Sequence, residues 1–186
     1  MKNQIIATNK SNLKDLILDE IKENGYECSL NHIDVSNIEY MNSLFSGSQF
    51  NGDISMWDTS NVVDMSAMFS HSHFNKYISN WNVSKVKNMW GMFHESKFNG
   101  DISKWNVQKV RDMESMFYQS EFKQDLTNWK PFSIENKSSM FYNCSVPAPY
   151  WFEAEDTLAA VKSHWLNKEL EDSLIDKSVK NNKIKI

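Results

Sequence analysis

Residues 101–122 read D-I-S-K-W-N-V-Q-K-V-R-D-M-E-S-M-F-Y-Q-S-E-F, and the same pattern stands 24 residues to either side. Trp57, Trp81, Trp105 and Trp129 form one column at that step. Phe50, Phe74, Phe98 and Phe122 form a second. The pairs Met68-Phe69, Met92-Phe93, Met116-Phe117 and Met140-Phe141 form a third. Several columns at one period, without a gap, mark a repeat architecture whose units have the size of leucine-rich repeats. The pattern reaches further upstream, because Leu30, Ile33, Val35, Ile38, Met41, Leu44 and Phe45 precede Ile54, Trp57, Thr59, Val62, Met65, Met68 and Phe69 by 24 residues. Five units therefore occupy residues 30–146.

One unit can be read physically. Ile102, Trp105 and Val107 have the L-x-x-L-x-L spacing of a leucine-rich repeat, and the alternation of Trp105 and Val107 predicts a short strand with one face inward. Val110, Met113, Met116 and Phe117 then fall at helical spacing and predict about two turns of helix. Ser60 and Ser84, with Gln108 in the same column, stand where that helix would be capped. The fold expected is an α/β repeat solenoid, a leucine-rich-repeat-like strand–helix stack. A single 24-residue unit has too little apolar surface to offset its own ordering entropy, so neighbours must bury its flanks. The Trp, Met and Phe columns are accordingly core ladders.

A stack needs covered ends. Leu13, Leu16, Ile17 and Ile21 share a helical face, with Asn12 as the expected cap, Asp15 in the first turn and Gly25 as the stop. Residues 1–11 are polar and read as frayed or as an edge strand. At the other end the pattern decays, with Val107 answered by Pro131, Met113 by Lys137 and Phe122 by Val146. Pro131 suits an edge. Tyr150, Trp151 and Phe152 can cover the last unit, and a helix is predicted from about Asp156 to Ile175 with Leu158, Val161, Trp165 and Leu166 inward. The organisation expected is an N-terminal capping helix in 1–29, repeats in 30–146, a C-terminal cap helix in 147–176 and a basic tail in 177–186.

Composition narrows the function. A net charge of -4 over 186 residues is a poor match to nucleic acid or an anionic membrane. The N-terminal MKNQIIATNKSNLKDL shows no secretory signal, and no stretch has the length and apolarity of a membrane span. The default compartment is the cytoplasm. Cys28 and Cys144 match no metal spacing and are expected as buried thiols.

The recurring string D-I-S-x-W-[ND]-[VT]-S-x-V-x-x-M-x-x-M-F-x-x-S-x-F-N-G, carried by residues 53–123, resembles the BspA-like repeat family, a leucine-rich-repeat-like group with many bacterial surface members and mycoplasma lipoprotein repeats. The resemblance covers residues 30–146. It implies a right-handed strand–helix solenoid and protein binding in place of catalysis.

No residue pattern points to a reaction, a cofactor or a metal. His71 and His73 could supply two ligands, but spacing indicates no third, and a polar turn is the expected role. The columns Ser55, Ser79, Ser103 and Ser72, Ser96, Ser120 recur with the period, as a catalytic serine would not. Asp53, Asp101 and Asp125 suit turn hydrogen bonding better than calcium.

Binding positions are expected where the repeats vary. On the strand face the outward columns include Met56, Asn80 and Lys104, with Lys85, Lys109 and Lys130 beside them. The four lysines predict a basic stripe facing an acidic protein surface. Trp90, His94 and Tyr118 lie on the other flank, with Tyr142 in the same column, and predict an aromatic strip. The functional expectation is a non-catalytic, monomeric, intracellular protein-binding solenoid, of the inhibitor or immunity type. The alternative is an exported or surface-associated adhesin.

Overall fold

A computed structural model describes residues 4–183. Among these residues the regular elements are β1 (Ile5–Ile6), α1 (Lys10–Asn24), β2 (Ile33–Asp34) and α2 (Thr157–Lys183). Everything between β2 and α2 is built from turns and isolated parallel bridges. The two helical turns expected over Val110–Phe117, and their counterparts in the other units, are not formed. Nor is the strand expected at Trp105–Val107, and Ser60 and Ser84 cap no helix.

The backbone shows why. Ser43, Ala67, Gly91, Ser115 and Ser139 all have φ between 51° and 57°. Gly47, His71, Glu95, Gln119 and Asn143 lie between 49° and 67°. Each unit thus takes two left-handed residues four positions apart, and an α-helix tolerates neither. The amides divide accordingly. Met65, Ala67, Phe69 and His71 donate to the carbonyls of Asn88, Trp90, Met92 and His94 in the next unit, at 2.7–3.0 Å. Met68, Ser70 and Ser72 donate to Met65, Ala67 and Phe69 in their own unit at 3.2 Å. The same arrangement recurs in the flanking units. Every second amide closes a local turn and the others tie one unit to the next, so the backbone polar groups are paired without helix or sheet.

Asp and Asn side chains punctuate the rest of the unit. The Oδ1 atoms of Asp53, Asp58 and Asp64 accept from the amides of Ser55, Ser60 and Ser66 at 2.8–3.0 Å. Turns of this kind at such short intervals leave no room for a strand. What survives is a line of single parallel bridges, Tyr40 to Asp64 to Asn88 to Asp112 to Asn136.

The apolar columns fill the interior as the spacing predicts. Phe45, Phe69, Phe93, Phe117 and Phe141 stack with ring centroids 5.5–5.7 Å apart. Phe50, Phe74, Phe98 and Phe122 run beside them at 6.2–6.3 Å. The four indoles of the Trp column keep their polar atoms paired. Nε1 of Trp57, Trp81, Trp105 and Trp129 donates to the carbonyls of Leu30, Ile54, Ile78 and Ile102 at 3.0–3.2 Å.

Both ends are covered. Leu13 and Ile17 of α1 are buried on the first unit, and β1 pairs in parallel with β2. The helix starts earlier than expected. Asn9, not Asn12, is its cap and accepts from the Asn12 amide at 3.0 Å, because Asn12 Oδ1 is itself taken by the Thr8 amide. Asp15 consequently lies beyond the first turn, while Gly25 ends the helix at φ 81° as expected. Glu20 of α1 reaches His32 Nε2 at 2.9 Å.

At the far end Trp151 is buried and Phe152 meets Phe141 edge to face at 5.0 Å. Lys137, which replaces a methionine of the repeat column, donates to the carbonyls of Trp151, Phe152 and Ala154. Burial holds its ammonium below the usual lysine value. On α2, Val161 is buried and Trp165 half-buried, whereas Leu158 and Leu166 are exposed, so half of the expected inward face is used. The expected tail is helical as far as Lys183, and residues 184–186 lie outside the described ones. No described helix is long and apolar enough to cross a membrane. Cys28 and Cys144 are half-buried and unbridged to each other, with Cys144 Sγ 3.2 Å from the Phe122 carbonyl.

Candidate functional site

The variable positions sort into two surfaces. On the first, Lys85, Lys104 and Lys109 are exposed, as are Met56 and Asn80. Lys85 Nζ is held by Asn61 Oδ1 at 2.7 Å, and the Asn80 amide oxygen accepts from the Tyr77 hydroxyl at 3.2 Å. Lys130 does not join this stripe. Its ammonium sits 3.6 Å above the Trp165 ring of α2, where it serves the cap. The remaining lysines are interleaved with carboxylates. Hydrogen bonds from the Ser60 hydroxyl and amide hold Asp58 below the usual carboxylate range, with Lys85 adding a smaller attraction. The Ser103 amide and hydroxyl do the same for Asp101, helped by Lys104. A uniformly basic stripe is therefore not what this face presents.

The second surface is more sharply built. The position just before the second left-handed residue carries an aromatic ring that is at least partly exposed at 94, 118 and 142, whereas Ser70 in the same column is buried. The His94 and Tyr118 rings lie parallel, 4.7 Å apart and 4° from coplanar orientation. Tyr118 and Tyr142 continue the stack at 5.0 Å. The inter-unit hydrogen bonds fix this spacing, since His71, Glu95 and Gln119 donate to the carbonyls of His94, Tyr118 and Tyr142. Trp90 is 46% exposed and lines, with Ala67, Ser70, His71, Gly91 and His94, a cleft of about 270 Å³. Trp90, His94 and Tyr118, singled out in the sequence, thus come together as one aromatic flank.

Two members of this flank escape a reading of neighbouring residues. His71 meets His94 edge-on at 5.2 Å, and Glu95 lies between them. The carboxylate is 3.3 Å from His71 Nδ1 through one oxygen and 3.3 Å from His94 Nε2 through the other. The signal was in the period. His71 and Glu95 are 24 residues apart, and so occupy one column in successive units.

No curated protein and no solved structure matches the chain. A family model matches twice, over residues 17–120 and 94–148, spans that run from α1 through the last unit. The aromatic columns and the repeated turns fall within these spans, and the chain belongs to the family described as "Mycoplasma protein of unknown function, DUF285".

Proposed function

We propose that the chain is a non-catalytic, BspA-like, leucine-rich-repeat-like solenoid that binds another protein through its aromatic flank. The observation that carries this reading is the line His94, Tyr118, Tyr142, whose rings are stacked at 4.7–5.0 Å before any partner arrives. Aromatic side chains dominate binding hot spots, and a surface already ordered loses little entropy on association. The units differ from the helix-containing form of such repeats in being closed by turns. The concrete role proposed is that of an inhibitor or immunity-type protein that covers a partner's working surface.

The test is affinity capture from the native cell with the tagged full chain, beside a Trp90→Ala/Tyr118→Ala double variant checked for unchanged circular dichroism. Support comes from one stoichiometric protein, retained by the wild type at moderate salt, lost from the variant and inhibited by the added wild-type chain. Equal capture by the variant removes the flank from the reading. Recovery of the chain on the cell surface, with no such partner, favours the exported adhesin.

A further inference from the structure

The repeat brings side chains from two successive units to one point. His71 comes from one unit, and His94 and Glu95 come from the next. One donor atom from each lies within 4.8 Å of the other two. The backbone holds this arrangement from below, because the His71 amide donates to the His94 carbonyl at 2.7 Å. A tetrahedral ion with metal–ligand distances of about 2.0–2.2 Å sets its donor atoms roughly 3.3–3.6 Å apart. Each imidazole already stands at that spacing from one Glu95 oxygen, His71 Nδ1 3.3 Å from Oε2 and His94 Nε2 3.3 Å from Oε1, so a small rotation of the carboxylate brings a single oxygen to both.

We propose that His71 Nδ1, His94 Nε2 and the Glu95 carboxylate bind a divalent first-row transition metal of the zinc class. Two imidazoles and one carboxylate suit zinc, cobalt or nickel, whereas calcium and magnesium require oxygen donors throughout. Three protein ligands leave a fourth position for water or for a donor from a bound molecule. His71 and His94 also line the cleft that contains Trp90. The ligand set occurs at one level of the stack. The corresponding residues one unit later are Glu95, Tyr118 and Gln119, and two units later Gln119, Tyr142 and Asn143. A feature needed for the fold would recur with the period, as the Trp and Phe columns do.

The test uses the full chain, freed of metal with a chelator and titrated with Co2+ and Zn2+. Co2+ is followed by its visible d–d absorption and Zn2+ by calorimetry. One ion per chain is expected. His71→Ala and Glu95→Gln should each weaken binding at least tenfold. A His94→Tyr/Glu95→Gln variant, which reproduces the Tyr118-Gln119 pair of the next unit, should abolish binding while keeping the fold. Its left-handed position is safe, because Gln119 already occupies that column at φ 50°. His73→Ala, two residues from His71, should leave affinity unchanged. Absence of binding by the wild type, or equal affinity in the wild type and His71→Ala, overturns the proposal.

Discussion

Trp81 does two jobs with one side chain. Its ring is buried between units, 6.3 Å from Trp57, and its Nε1 satisfies the Ile54 carbonyl at 3.1 Å. The same carbonyl also accepts from the Trp57 amide at 3.2 Å, so Trp81→Phe loses one of two hydrogen bonds there and should cost about 2–4 kcal/mol in urea unfolding, mostly from the unfilled volume. Met56→Ala, at a position 76% exposed, should stay within about 0.5 kcal/mol of wild type. The turn carboxylates set an acid limit. Asp58, Asp101 and Asp125 are held below the usual 3.8 by hydrogen bonds from Ser60, Ser103 and Thr127. Lowered folded values mean stability that is fully present above the unfolded carboxylate value and lost as pH falls through the folded one. Asn82 and Asn106 already stand in the Asp58 column and accept the same bond. An Asp58→Asn/Asp101→Asn/Asp125→Asn variant should keep the fold, and its melting temperature should fall less on acidification below about pH 3.8 than that of wild type.

At the scale of the element, the left-handed columns decide what the chain can build. Gly91 has φ 56° and donates its amide to Glu114. A Cβ there meets only the His94 Cβ at 3.7 Å, so Gly91→Ala should cost about 1 kcal/mol, from backbone conformation alone. Gly91→Pro removes the donor as well and should be several times more damaging, measured in the same urea titration. The misread helix belongs here too. Spacings such as Val110, Met113, Met116 and Phe117 fit a helix, but they fit equally a run of overlapping four-residue turns that returns apolar residues to one side. Asp64, Asn88, Asp112 and Asn136, each able to bond the backbone two residues on, were the countersign. The columns themselves, α1 with its Gly25 stop and the covering role of Trp151 were legible, because burial depends on which residues align and not on the backbone path that aligns them. The pairing of Asp58 with Lys85 and of Asp101 with Lys104, and the loss of Lys130 to Trp165, depend on side-chain placement that a column cannot show.

For the whole molecule, the period is the unit of tolerance. Deleting residues 77–100 removes 24 residues and joins Lys76 to Asp101, so each column closes up in register. That variant should unfold cooperatively in urea, with a smaller m-value and a lower midpoint. Deleting residues 77–88 shifts the later columns by half a period and should leave no cooperative transition. The first deletion also takes away His94 and Glu95, so it should fold without binding metal. The same period hides the pairing of His71 with Glu95 from a linear reading, because the two come from successive units.

The division of the amides also has a kinetic meaning. The amides of Ala67, Phe69 and His71 can exchange their hydrogens with solvent deuterium only when neighbouring units part, whereas those of Met68, Ser70 and Ser72 need only their own turn to open. Isotope exchange should therefore alternate, slow and fast, residue by residue along a stretch that contains no regular element. The slow set should report the cohesion between units, and the fast set the strength of one turn.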